Sequence, residues 1–416
     1  MKLPLLAILI LSLSPIVAAQ DAPLTLERAV TLAVERNERA AIAETTVEAA
    51  EARVSRARTA FFPRVDITGN WRNDYADDTE RQLSTSALLT QPLFDARVFP
   101  LFRQARFARD AARFGADESK RILGYDAAAV FLTTLSFEQV LLAAERRRDF
   151  AQTNLDDVRA RFEAGLVSSN DVTRAELELA TAVRGVAQAA GNVQASRVDL
   201  ETLLKTDVNG PLAPPTALLD AAATAPSTDI PAAQQRRADI AAERAGVEAL
   251  RAFADEPRAR FFPSVAFNAQ TRNINDGPIA NRNNEGFFGF TFAWPVLDAG
   301  LRRAERAERS ALVRGAELEL EASLRDVERQ MRSSAVQLTT EQAALREATA
   351  AVRAARKNAE ETSILYREGL ASALELADAT QRLFEAEVAE ATATYRMALA
   401  YLALGEASGV PPMAER

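Results

Sequence analysis

The chain has 416 residues, 48% of them hydrophobic and only 6% aromatic, with a net charge of -8 and neither cysteine nor histidine. The missing residue types exclude Ser-His-Asp and Cys-His nucleophiles, thiolate metal centres and imidazole ligands. The negative charge argues against a nucleic-acid partner, and abundant alanine with few aromatics points to long helices packed through small side chains.

Residues 1–19 read as a secretory signal peptide. Lys2 gives the positive start, Leu5 to Leu13 a short apolar run, and Val17-Ala18-Ala19 the small residues of a cleavage site. The mature chain is then expected to begin at Gln20, and without a cysteine it has no site for a lipid anchor. No later stretch reads as a membrane-spanning helix, so any membrane contact must be made by strands.

A first unit covers 20–205. Thr25 is a plausible N-cap, and nothing from there to Thr59 signals a helix break. Val65, Ile67, Gly69 and Trp71 alternate with Asp66, Thr68, Asn70 and Arg72, the period of a strand. A second, weakly alternating strand runs from Leu83 to Leu93, with a polar loop, Asn73 to Gln82, between them. From Leu101 to Ala164 there is no proline, which gives 64 residues of helix, about 96 Å at ~1.5 Å per residue. A tight turn and another helix follow. Residues 206–233 hold five of the seventeen prolines and form an irregular linker with room for a small helix.

A second unit, 234–408, repeats the order, and 409–416 is a tail. Ala60-Phe61-Phe62-Pro63 recurs as Arg260-Phe261-Phe262-Pro263, an offset of 200. Gln91-Pro92 recurs as Trp294-Pro295, an offset of 203. Phe162-Glu163-Ala164-Gly165-Leu166 recurs as Tyr366-Arg367-Glu368-Gly369-Leu370, an offset of 204. Ordered anchors with drifting spacing mean duplication. In the second long helix Leu324, Met331, Leu338, Leu345, Val352, Ala359 and Tyr366 lie seven apart, a heptad seam for coiled-coil packing. The corresponding row of the first half is interrupted by Arg148.

Val265, Phe267 and Ala269 alternate like the first strand, and Phe288, Phe290, Phe292 and Trp294 alternate with Gly289, Thr291 and Ala293. Such a pattern suits lipid on one face and a wet lumen on the other, with polar loops, including Asn273 to Gly286, facing outside. Each strand alone also fits a soluble sheet. Four strands, however, cannot close a barrel, and an open sheet in lipid leaves its edges unsatisfied. Two copies would give eight strands and a filled barrel; three give twelve and an aqueous lumen.

At this point the residues resemble the TolC-like outer-membrane efflux protein family. The resemblance covers nearly all of the mature chain. It is carried by Leu24-Thr25-Leu26-Glu27-Arg28-Ala29-Val30, by the two Phe-Phe-Pro segments, and most specifically by the turns Arg161 to Val172 and Tyr366 to Ser372. It implies a mainly helical protomer with a membrane β-barrel: a homotrimer whose twelve-stranded barrel continues as a long coiled-coil α-barrel across the periplasm. The implied partners are a periplasmic membrane fusion protein, through it an inner-membrane pump of the RND or ABC type, and the lipid of the outer membrane. Neither cofactor nor catalysis is implied.

The resemblance also assigns sites. Glu375 and Asp378 match an acidic ring at the closed periplasmic mouth; without the family, they read as a solvated helix face. Like charges gathered there would attract cations and keep some carboxyls protonated near neutral pH. Asp171 and Tyr366 match partners in the latch that holds the mouth shut. Gly165, Leu166, Ser168, Gly369, Leu370 and Ser372 form the turns where the fusion protein docks, and Phe288, Phe290, Phe292 and Trp294 face lipid. The sequence departs from the family at Ala371, where the best-known member has a latch-bridging arginine. Two other readings compete: the outlet of a type I protein secretion system, and a periplasmic coiled-coil adaptor. The exposed aromatic strand tells against the adaptor. Drug efflux, protein secretion and metal export stay unseparated.

Overall fold

The structure, a computed structural model, describes residues 23–73, 81–225, 227–276 and 281–412. The expected signal peptide and the tips of both polar loops lie outside the described residues. The elements in chain order are α1 (Leu26–Arg36), α2 (Glu38–Thr59), β1 (Arg64–Asn73), β2 (Arg81–Phe94), α3 (Val98–Glu163), α4 (Ser169–Leu204), α5 (Thr216–Ala222), α6 (Ile230–Arg236), α7 (Ala238–Ala259), β3 (Ser264–Asp276), β4 (Asn281–Ala293), α8 (Leu301–Arg367) and α9 (Ala373–Ala407). With 66 and 67 residues, α3 and α8 each run about 100 Å. The shorter helices pack along them: α2 and α7 on the sheet half, α4 and α9 on the other half.

The first helical stretch is not continuous. Thr25 caps α1 as expected, accepting from the Arg28 amide at 3.3 Å. The chain then breaks at Asn37, whose backbone is extended. Its side chain accepts from the Arg39 amide at 2.9 Å and donates to the Leu203 carbonyl at 3.0 Å. One amide thus satisfies the open start of α2 and the open end of α4. Two hundred residues later Arg237 does the corresponding work. It too is extended between helices, and it reaches the Ala407 carbonyl at the end of α9 at 3.3 Å while pairing with Asp239 at 2.6 Å. In both halves a short helix therefore abuts another end to end at mid-height.

Two apolar clusters surround these junctions. The first joins α1, α3, α4 and α9 through Phe131, Leu132, Leu135, Leu200 and Leu402. The second joins α7, α8 and α9 through Ile240, Val327, Met331, Leu338 and Leu404. Met331 and Leu338 of the heptad are nearly inaccessible and Leu324 and Leu345 pack beside them, so the seam is core. Contrary to the sequence expectation, α3 does contain an 18-residue window apolar enough to cross a bilayer. Its Leu123, Phe131, Leu132 and Leu135 are buried in the first cluster, which accounts for that hydropathy within the bundle.

The strands form one antiparallel sheet in the order β1-β2-β3-β4, so β1 and β4 are edges without a partner among the described residues. The register makes one face mainly apolar, while the other mixes polar side chains with Leu88 and Phe287. Val65 lies opposite Leu89, Leu89 opposite Ala269, and Ala269 opposite Phe288; Phe267 faces Phe290 and Val265 faces Phe292. This apolar face gives way towards the loops to Thr271–Gly286 and Asn273–Asn284. The opposite face carries hydrogen-bonded polar pairs, Thr68–Ser86 and Asn268–Thr291, both at 2.8 Å. The strands run into both ranges expected as loops, since β2 begins at Arg81 and β3 and β4 cover Asn273–Asp276 and Asn281–Gly286. At the sheet base a bulge lies between Pro92 and Phe94, where proline's missing N–H is tolerated. The repeat equivalents Gln91 and Trp294 make one and the same bond, Nε2 to the Phe61 carbonyl at 3.2 Å and Nε1 to the Phe261 carbonyl at 3.0 Å.

Candidate functional site

At the end of the bundle remote from the sheet, α3–α4 and α8–α9 each close in a tight hairpin. Gly165 and Gly369 have φ of 72° and 76°, the left-handed conformation that favours glycine at a helix end. Behind each, Leu166 donates to the Arg161 carbonyl at 2.9 Å and Leu370 to the Leu365 carbonyl at 2.8 Å. The leucines that follow the glycines are among the most exposed apolar side chains, at 75% and 76%. Apolar tips this open on two rigid turns suit contact with another molecule.

Each hairpin restarts on a serine and a carboxylate. The Ser168 amide and hydroxyl donate to Asp171 at 3.0 and 2.8 Å. The Ser372 amide and hydroxyl donate to Glu375 at 2.6 and 2.9 Å. Asp171 and Glu375 are thus repeat equivalents with one local job, closing the first turn of a helix. The Ser372 amide, then its hydroxyl, holds the Glu375 carboxyl below its ordinary value. Within one protomer this opposes the protonation that crowding of like charges would cause. Asp378 lies on the same exposed face of α9 and pairs with Arg382 at 2.8 Å.

Tyr366 and Asp171 do not meet through a hydrogen bond. The Tyr366 side chain is buried with Leu155, Val158, Ala175 and Leu376 in a small apolar cluster, and its hydroxyl has no partner among the described residues. Burial is the main reason the phenol is pushed above its ordinary value. Beside that apolar cluster, the polar link between the hairpin tips is Arg161. Its guanidinium donates to the Tyr366 carbonyl at 3.2 Å and the Arg367 carbonyl at 3.1 Å and lies 5.2 Å from the Tyr366 ring centroid. A cation on the open carbonyls that end α8 is favoured by the helix dipole as well.

Above the tips a cleft of about 740 Å³ separates the hairpins, with Phe150, Leu177, Ile364 and Leu374 on its walls. Glu387 of α9, paired within its own hairpin with Arg356 of α8 at 3.3 Å, reaches across it to Arg146 of α3 at 2.9 Å. Arg147 crosses from α3 to the Phe384 ring, 5.0 Å from its centroid. Arg161, Arg146 and Glu387 were not singled out from sequence. On the sheet, Phe288, Phe290 and Phe292 share the apolar face and are 63–81% exposed. Trp294 lies one residue past β4, with its ring N–H tethered as described. Among the described residues no group of three or more acidic side chains is placed to hold a metal ion.

The model of the family described as Outer membrane efflux protein matches residues 29–205 and 230–410. The chain is 22% identical over 392 residues to Outer membrane protein TolC of Escherichia coli, which covers 87% of this chain and 77% of that protein. It is 25% identical over 307 residues to Cobalt-zinc-cadmium resistance protein CzcC of Cupriavidus metallidurans, covering 69% of this chain and 68% of that one. The open-state MtrE outer membrane channel of Neisseria gonorrhoeae superposes with a TM-score of 0.80 over 93% of this chain and 89% of MtrE, at 19% identity. At that identity the likeness is one of fold.

Proposed function

We propose, for a chain that belongs to the outer membrane efflux protein family, a passive exit duct of a tripartite efflux pump, working as a homotrimer. The observation that carries this reading is the pairing of an edge-open, four-stranded sheet with helices about 100 Å long on one protomer. Lipid does not tolerate unpaired strand edges, and β4 of one copy can pair with β1 of the next until the ring closes. Three copies give twelve strands with the Phe288–Phe290–Phe292 face outward and the Thr68–Ser86 face on the lumen. The helices then form the wall of a conduit through the periplasm.

The hairpin tips are the mouth. Glu375 and Asp378 of three copies ring the axis there, and Arg161 holds the two hairpins of each copy together where Ala371 cannot. Leu166 and Leu370, with Gly165, Ser168, Gly369 and Ser372 setting their turns, offer the surface for a periplasmic membrane fusion protein that connects to an inner-membrane pump. Movement of substrate draws on the pump; the chain itself supplies the passage. The test is purification from outer membranes in mild detergent, followed by mass measurement and single-channel recording. A trimer that conducts after insertion into a planar bilayer is the expected result. A stable monomer in detergent, or a protein found in the soluble periplasm, refutes the reading.

A further inference from the structure

The charge of this protein is unevenly placed. Over the chain as a whole it is -8, yet the segments at the sheet base, residues 53–66, 95–113, 255–264 and 298–314, hold sixteen arginines against eight carboxylates. These segments are the ends of α2 and α7 and the starts of α3 and α8, where the bundle meets the strands. Several of the arginines are engaged within the protein, as Arg260 and Arg309 are with buried Glu256. Arg53, Arg56, Arg106, Arg303 and Arg306 are exposed and have no ion-pair partner among the described residues. Arg58 is exposed as well, its guanidinium 5.7 Å from the Phe62 ring centroid. At the same level Phe62, Phe99, Phe262, Val296 and Leu297 are exposed, Leu297 at 90%.

An apolar rim bordered by unpaired arginines matches the boundary between acyl chains and phosphates, with long side chains reaching back to the headgroups. We propose that this collar binds acidic phospholipid of the periplasmic leaflet, the arginines taking the phosphates and the exposed phenylalanines and Leu297 the first part of the chains. The inference rests on the reading that the Phe288–Phe292 face meets lipid. It assigns the collar to a headgroup and not to a soluble phosphate, because exposed apolar side chains stand in the same segments as the cations.

The chain offers its own reporter. It has two tryptophans, and Trp294 lies at the sheet base, fixed by its bond to the Phe261 carbonyl. The Trp71→Phe channel, reconstituted in vesicles of phosphatidylcholine with brominated phosphatidylglycerol or brominated phosphatidylcholine, reports lipid contact through quenching of Trp294. The expected result is a preference for the acidic lipid of about fivefold, the factor one well-placed arginine contributes at an anionic surface. The preference should weaken with added salt and vanish in Arg56→Gln, Arg303→Gln, Arg306→Gln. Equal quenching by both lipids in the parent channel overturns the collar while leaving the lipid-facing sheet intact. Absence of quenching by either lipid refutes instead the face assignment beneath it. Loss of the preference on adding glycerol phosphate at constant ionic strength shows a soluble-anion site and overturns the lipid assignment. So does a triple variant that keeps the preference but changes ion selectivity, since its arginines then line the lumen.

Discussion

Replacing Arg161 with alanine removes the contact that joins the two hairpin tips of a protomer. Hydrogen bonds from a charged donor contribute about 1.5–3 kcal/mol each when well shielded. Arg161 is half-buried and its bonds to the Tyr366 and Arg367 carbonyls are 3.2 and 3.1 Å long, so about 0.75 kcal/mol apiece is the appropriate scale. The stacking on Tyr366 adds about 0.5 kcal/mol. The sum, about 2 kcal/mol, corresponds to a factor of about 30 in the ratio of joined to separated tips in each protomer. In planar bilayers Arg161→Ala should therefore raise the resting single-channel conductance several-fold. Arg161→Lys should fall between, since a lysine keeps the charge but lacks the fork that reaches two carbonyls. Tyr366→Phe is the control: its hydroxyl is buried without a described partner, so its removal should not open the channel. Wild-type conductance in Arg161→Ala, or an opening by Tyr366→Phe as large as that by Arg161→Ala, refutes the assignment of the joint to Arg161.

Phe290→Arg should impair assembly, because an arginine facing lipid costs about 2–4 kcal/mol per copy near the midplane, whereas Thr291→Arg points to the lumen and should be tolerated; trimer yield after detergent extraction decides, and the reverse order means the faces are exchanged. Glu375→Gln with Asp378→Asn should remove the cation preference and block by multivalent cations in bilayer recordings, and unchanged selectivity places both residues away from the axis. The Ser372 amide holds the Glu375 carboxyl below its ordinary value of 4.5, so its stabilising cap is present above that pH and lost as pH falls through the depressed value. Cation preference should accordingly survive acidification to about pH 4.5; a midpoint near neutral would show that repulsion in the ring outweighs the cap. Joining Arg146→Cys to Glu387→Cys with a short bis-maleimide should keep the conductance low even in an Arg161→Ala background, and a fully open linked channel would refute an opening across the cleft.

The sequence made the duplicated order, the long helices, the heptad of α8 and the strand faces legible, because each rests on a period or a repeated motif. The failures have local causes. Asn37 breaks a helix without glycine or proline nearby, and what holds the break is a carbonyl 166 residues away. Trp294 continues the aromatic alternation but leaves the ladder before Pro295, which cannot donate to it. The spacings Ser168 to Asp171 and Ser372 to Glu375 are helix-start signatures readable in advance, and they show that two acidic residues assigned to different devices occupy equivalent positions. Arg161 stood inside a recognised turn, but its partners are backbone carbonyls, which no side-chain pattern reveals.

The distribution of packing also says where such a duct can open. Alternate faces of α9 enter both mid-height clusters, Tyr395, Ala398 and Leu402 one of them, Met397, Ala400 and Leu404 the other. Separating the hairpins there would expose Phe131, Leu135 and Leu338 together, at about 1.5–3 kcal/mol for each side chain. Below that level the hairpins are divided by the cleft. What crosses it is one ion pair, Glu387 with an Arg146 that is 60% exposed, an arginine on a phenylalanine ring, Arg161, and the small cluster round Tyr366. An ion pair whose arginine lies largely in water contributes about 1 kcal/mol. The separation that costs least begins at the tips and stops at the clusters, so on the proposed reading the mouth would widen while the upper conduit keeps its shape. A partner docked at Leu166 and Leu370, as proposed, would act at the end of that lever, where a few kcal/mol of binding energy is enough to shift the balance.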